Sequence, residues 1–329
     1  MKPTEQNVIN YDLTPLKHGA IYDVTNIKKV IVRILIGTVV LMPLFIVSLV
    51  GLAVLTLFNA DVFELISLFI GITQVLIFAG FGLAIFLFFR IPQQYKRSVT
   101  NFGALNQLTP IGLETIGSYL PPSLFDPGAS VREGRGYYLQ LGEQRVLFYD
   151  YTYTISGGKS SQRYTYAVAT LELTKQYPHL YLDGAANGRN LSYTKDQRVD
   201  LEGDFNKYFS LYMPEGSAAG SLTVLAPDVM LVLIEQAQPF DIELSQNSLS
   251  IITTGRAFTR ENLQKLLVCS KALSKEFKEL DSNWQPVTMA NGKPYTLKRS
   301  NWKVVVGVVA IIAMIVIQTV MFIAARSRE

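Results

Sequence analysis

The chain has 329 residues, a formal net charge of +4 and 49% apolar residues. Residues 91–303 carry 22 Lys and Arg against 20 Asp and Glu, too even a balance for a nucleic-acid binder. The single cysteine, Cys269, excludes an intramolecular disulfide framework and a multi-cysteine zinc site. The two histidines, His18 and His179, stand too far apart in sequence to suggest a local metal or triad pattern.

In chain order, a polar tail (1–28) is followed by two apolar runs, Ile34–Ala60 and Leu65–Phe89. A third run, Val304–Ala325, lies near the other end. None holds a charged residue, and crossing a bilayer takes about 20 apolar residues. The first run is too long for a signal h-region and no small-residue cleavage site follows it, so it is expected to stay as a helix. The short link Asn59–Glu64 makes 29–90 a transmembrane hairpin with its turn at that link. The third run predicts a C-terminal transmembrane helix over 302–325, with a tail at 326–329. Lys28, Lys29, Arg33, Arg90, Lys96, Arg97, Lys298, Arg299 and Lys303 flank the runs on one side, against Arg326 and Arg328 on the other. Basic flanks stay in the cytoplasm, so the 90–303 domain is expected inside and the C-terminus outside. Small residues (Gly80, Ala84; Gly307, Ala310, Ala313) suit packing between these helices, within one chain or in a homo-oligomer. No ionisable residue marks a conduction path.

Residues 91–130 read as a connector, able to lie on the membrane surface, with a short helix over Ile111–Tyr119 and a loop at Pro121, Pro122 and Pro127. A soluble domain is expected over 131–285, its strands beginning near Tyr137. Leu147, Tyr149, Tyr151, Tyr153 and Ile155 alternate, as do Tyr164, Tyr166 and Val168, predicting a hairpin of Arg145–Ser156 with Gln162–Leu173. The tyrosines are expected to pair across strands rather than stack on bases. The turn Gly157-Gly158-Lys159-Ser160 fails as a phosphate loop, because Tyr153 stands where glycine is needed and a strand follows. Short strands are expected at His179–Asp183 and Leu191–Tyr193.

Asp200, Glu202 and Asp204 alternate like part of a calcium loop. Phe205 and Leu211 occupy the positions that need Gly and Glu, so the acids are at most weak metal candidates and a solvated turn is expected. Pro227 and Asp228 start a helix to about Gln236. Two strands, Phe240–Leu244 and Leu249–Thr253, are expected to form a hairpin through Gln246 and Asn247. A helix from about Thr259 to Leu280 carries the stripe Leu263, Leu266, Leu267, Leu273, Phe277 and Leu280, with Cys269 on its apolar side as a buried thiol. A linker, 286–301, follows. The expected fold class is an α+β soluble domain, mostly antiparallel sheet with two or more helices, attached to three transmembrane α-helices.

The run Arg198–Tyr212 resembles a bacterial family of membrane proteins built around a domain of unknown function, number thirty-one thirty-seven. The resemblance rests on Leu201, Glu202, Phe205 and Phe209, on Leu225-Ala226-Pro227 opening a helix, on the hairpin at Phe240–Thr253 and on the N-terminal transmembrane pair, and covers about 165–255. It implies a bacterial plasma-membrane protein and no particular activity, so no site residue comes with it.

The expected function is a membrane-anchored, non-enzymatic binding or regulatory domain. No cofactor, catalytic residue or nucleic-acid partner is expected; the lipid bilayer and protein partners are. Two alternatives stand beside it: a subunit of a larger transport or envelope complex, and a membrane enzyme for which Asp196, Asp200, Glu202 and Asp204 are the only candidate acids.

Overall fold

The run from Leu65 meets no proline before Pro92. In the computed structural model it belongs to one 46-residue helix, α1, Ala60–Leu105, which continues through Pro92. The structure describes residues 11–17, 32–34, 36–37, 46–47, 50–51, 60–157, 160–187, 193–201, 203–214, 222–284 and 297–298. Within α1, Gln74–Leu105 is long and apolar enough to cross a membrane, and is the one such span among the described residues. The few described residues of the first run are helical. The rest of that run, the whole of the third and most of the linker lie outside the described residues, so three transmembrane helices are not seen here. Two expectations change. Residues 60–64, expected in a hairpin turn, are the first turn of α1. Residues 91–105, expected in a connector, extend the same helix.

The described residues fall into two compact units, those of Met1–Pro110 with Gly255–Lys265 and those of Ile111–Thr254 with Leu266–Glu329. In the first, α1 changes surroundings near Arg90. Among the described residues before it most large apolar side chains are exposed, Phe78 by 74%. After it Tyr95, Val99 and Phe102 are buried at i, i+4 and i+7, one helical stripe. Phe102 meets Phe258 at 5.9 Å between centroids and Arg256 lies 4.1 Å over the Tyr95 ring. Residues 11–17, read as polar tail, belong here too: Leu16 is buried, Asn106 exchanges hydrogen bonds with the Asp12 backbone (2.8 and 3.0 Å), and Arg260 N donates to Lys17 O at 3.1 Å.

The second unit is an α+β domain on an antiparallel sheet. Helix α2 (Leu113–Ser118) precedes β2 (Ala129–Leu141), β3 (Gln144–Gly157) and β4 (Ser160–Gly184). Then come β5 (Arg198–Val199), β6 (Phe209–Tyr212), α3 (Pro227–Gln236) and β7 (Asp241–Thr254). Helix α4 (Arg260–Asn283) belongs to this unit from Leu266 on, and of the two-residue β1, Pro110–Ile111, Ile111 does. The order runs β2-β3-β4-β6-β5, with β7 on the other edge of β4. Strands therefore begin at Ala129 rather than near Tyr137.

The central strand is β4. Its first half pairs β3, its last residues pair β6, and β7 follows its opposite edge from Tyr166 to Leu182. The expected hairpin of Phe240–Leu244 and Leu249–Thr253 is instead one strand, β7. Likewise His179–Asp183 is no separate strand but the end of β4. The reason is a matched irregularity: the register shifts between Glu172 and Leu180 on β4, and Gln246 opposite takes φ +54°. One residue in the left-handed region bends a strand without reversing it.

The register Leu147–Thr170, Tyr149–Val168, Tyr151–Tyr166 and Tyr153–Tyr164 puts the tyrosines on one face. Tyr153 stacks on Tyr164 at 5.2 Å and on Tyr166 at 5.9 Å, the cross-strand pairing expected. Ile116 of α2 and Leu124 close this face and are fully buried. Helix α4 reaches the other face, where its Ser274 hydrogen-bonds Gln144 (2.9 Å), on the pleat side of Val146 and Phe148. Leu266, Leu267, Leu273, Phe277 and Cys269 are buried, as the stripe predicts. Past the helix end, Trp284 stacks on Tyr177 at 4.9 Å and donates from Nε1 to Gln176 O at 2.9 Å.

Candidate functional site: a buried polar ladder and the segment it holds

Paired residues in an antiparallel sheet share a face, and so do residues two apart on one strand. Tyr181 pairs with Glu243. His179 and Tyr181 on β4 therefore share a side with Asp241 and Glu243 on β7. All four are buried, both carboxylates almost completely. Carboxylates so placed must be hydrogen-bonded.

Asp241 accepts from the Tyr181 hydroxyl (2.6 Å), from the Gly184 amide (2.9 Å) and from the Asn187 side-chain amide. Tyr193, 5.0 Å from Tyr181 and 5.3 Å from Tyr212 between centroids, adds a further ring to this end of the sheet. Glu243 accepts the Ser123 amide on both oxygens (3.1 Å each) and the His179 ring at Nε2 (2.8 Å).

The other nitrogen of His179 fixes its tautomer. The Leu297 amide donates to Nδ1 at 3.1 Å, so Nδ1 carries a lone pair and Nε2 carries the proton given to Glu243. Next along the chain, Gln197, also buried, reads the Lys298 backbone in both directions. Its Nε2 donates to Lys298 O and its Oε1 accepts Lys298 N, each at 2.7 Å. Thr194 N adds a longer bond to Lys298 O at 3.4 Å. A side-chain amide here does what a neighbouring strand would do. The segment so held, Leu297–Lys298, stands six positions before Val304, where the third apolar run begins.

A carboxylate–imidazole pair acts in proton transfer only if a ring nitrogen faces a reacting group. In this pair one nitrogen faces Glu243 and the other a backbone amide. The arrangement holds chain; it does not present a base.

The acids singled out from sequence lie elsewhere. Asp200 faces Arg198 at 3.4 Å and Asp204 faces Lys207 at 2.6 Å, all four well exposed. Glu202 lies outside the described residues, and Asp196 sits in a 3-10 turn, Lys195–Gln197. The Asn206 side chain holds both the amide and the carbonyl of Leu201 (3.1 and 2.7 Å), and Gly203 takes φ +76°. Leu201 and Asn206 are thus tied to each other across a turn. Among the described residues no group of three or more His, Cys, Asp or Glu is placed to hold a metal. Of the residues in the resemblance, Phe205 and Phe209 are buried and stack at 5.4 Å, and Leu225-Ala226-Pro227 opens α3.

Sequence reasoning passed over His179 as a lone histidine and did not single out Gln197, Asp241 or Glu243. One signal was present. Asp241 and Glu243 alternate with apolar residues inside a strand, where charge is costly unless paired.

No family model matches the chain, and neither does any curated protein or solved structure.

Proposed function

We propose that the protein is a multi-pass plasma-membrane protein of bacterial type, held by three transmembrane helices. Its α+β domain is a cytoplasmic, non-enzymatic binding or regulatory module, and the chain belongs with the thirty-one thirty-seven family it resembles. The observation that carries the reading is α1, exposed and apolar before Arg90 and packed by one stripe after it. A helix in that pattern leaves an apolar phase for a folded unit. The polar ladder adds support, because it grips the chain just before the third apolar run. Nine of the eleven flanking basic residues favour a cytoplasmic domain.

Cysteine labelling of intact cells with a membrane-impermeant maleimide tests the topology. Burial pushes the Cys269 thiol up, so the native cysteine stays quiet. Asp61→Cys is expected to label in intact cells and Ser160→Cys only after lysis. Label at Ser160→Cys but not at Asp61→Cys overturns the orientation. Membrane subunits co-purifying stoichiometrically in detergent would favour a complex subunit instead.

A further inference from the structure

At the end of its apolar run, α1 carries a groove of about 470 Å³ lined by Phe86, Phe89, Arg90, Gln93, Gln94 and Arg97. We propose that this groove binds the phosphate of an anionic phospholipid headgroup. The inference rests on the membrane reading above and deepens it.

Arg90, Gln93, Gln94 and Arg97 stand at i, i+3, i+4 and i+7, so they share one helix face. At 100° per residue that face lies ~160° from the buried stripe of Tyr95, Val99 and Phe102. The donors therefore point away from the unit that the helix packs into. Two guanidinium and two amide groups supply a dense set of N–H donors, and no acidic residue among those described lines the groove. Guanidinium groups fit phosphate oxygens in paired fashion.

Depth decides which phosphate. Arg90 is the first charged residue after Leu65–Phe89. Its guanidinium lies over the Phe86 ring, 4.9 Å from the centroid, one turn back toward the apolar run. Arg97 stands about 10 Å further along the axis, and helix side chains lean toward the N-terminus, here back toward Arg90. The bilayer's polar layer is about 5–7 Å thick on each side. The pair of arginines thus brackets the headgroup level. Phe86 and Phe89 form the apolar floor, against which acyl chain rather than water would lie. A free anion would gain nothing from that floor.

Full-length protein in nanodiscs tests this, with fluorescent phosphatidylglycerol and phosphatidylcholine as the probes. Wild type is expected to retain phosphatidylglycerol over phosphatidylcholine. The double variant Arg90→Gln/Arg97→Gln should lose about 25-fold of that preference, each arginine near an anionic surface contributing roughly fivefold. Lys96→Gln is the control. It removes one exposed charge from the same turn but from outside the groove, so it should keep most of the preference. Equal retention of the two lipids by wild type, or equal losses from Lys96→Gln and either single arginine change, overturns the site while leaving the membrane reading in place. Displacement of the lipid by excess inorganic phosphate would also overturn it, in favour of a soluble-anion site. Failure of wild type to enter phosphatidylcholine nanodiscs at all would remove both readings.

Discussion

His179 is a bridge because its two ring nitrogens have different partners. One donates a hydrogen bond to a buried carboxylate, and the other accepts one from the backbone before the third apolar run. Removing the ring leaves Glu243 with only the Ser123 amide among the partners described above. A buried charge stripped of a partner costs about 3 kcal/mol or more. His179→Ala should therefore lower the thermal midpoint of the detergent-solubilised protein sharply. His179→Gln should recover much of the loss, since a side-chain amide can donate to Glu243 and accept from Leu297. Equal midpoints for the two variants would mean that the ring acts by filling space. The tyrosines set a second expectation. Burial raises Tyr138, helped by its hydrogen bond with Tyr119, from the ordinary 10.0 to about 12, and it raises the fully buried Tyr149 further still. A folded state that keeps these protons longer than the unfolded state loses stability as pH rises. The contribution is whole below about pH 10 and falls as pH climbs toward 12. Melting followed from neutral to alkaline pH should show a plateau and then that fall. Tyr149→Phe should shallow the fall, at a cost of about 1 kcal/mol for the bond its hydroxyl donates to Tyr119 O at 3.3 Å.

At the scale of elements, the reading from sequence is closest where one window of residues holds the whole signal. Alternating tyrosines mark β3 and the start of β4. Pro227 and Asp228 mark the start of α3, which ends at Gln236 as expected. The reading fails where a turn-like stretch is only a bend. Gln246 and Asn247 look like a hairpin tip, yet β7 runs past them because β4 extends alongside. The positive φ at Gln246 gives a test. Every L-residue there, Gln246 included, bears the cost of the left-handed backbone, about 1–2 kcal/mol, and glycine does not. Gln246→Gly should therefore match or exceed wild type in a denaturant titration, and the stiffer β-branched Gln246→Val should fall below it. The reverse order would place the bend elsewhere. Gly136 is a second sensitive position. A Cβ there would lie 2.5 Å from Phe148 O and 2.6 Å from Tyr149 Cβ. Overpacking against a strand backbone costs about 1–3 kcal/mol, so Gly136→Ala should loosen β2 from β3, read as faster amide exchange along both.

For the whole molecule, the expected domain boundary at 131–285 cuts through packed structure. It discards Ile116 and Leu124, which close the tyrosine face, and strips Phe258 of Phe102. A fragment of 131–285 should therefore aggregate or melt without cooperativity. One of 91–298 keeps α2, the helical stripe after Arg90 and the Leu297–Lys298 segment, and should melt cooperatively. In that fragment Leu266→Ala should cost about 2–5 kcal/mol, as for other buried leucines. A cooperative melt from 131–285 would show that the sheet and α4 suffice alone.

Length of apolar runs, period-two alternation and helix-start chemistry belong to short windows, so the apolar helix, the α+β class, the tyrosine face and the buried stripe of α4 are legible in the residues alone. Tertiary structure alone decided that β4 and β7 are single long strands, that residues 11–17 dock, and that His179, Glu243 and Leu297 meet. His179 and Glu243 are 64 positions apart, and His179 and Leu297 are 118 apart. No local period links residues at such separations. They meet because the pleat of two long neighbouring strands puts alternate side chains on one buried face, where a carboxylate needs donors and a backbone amide needs an acceptor.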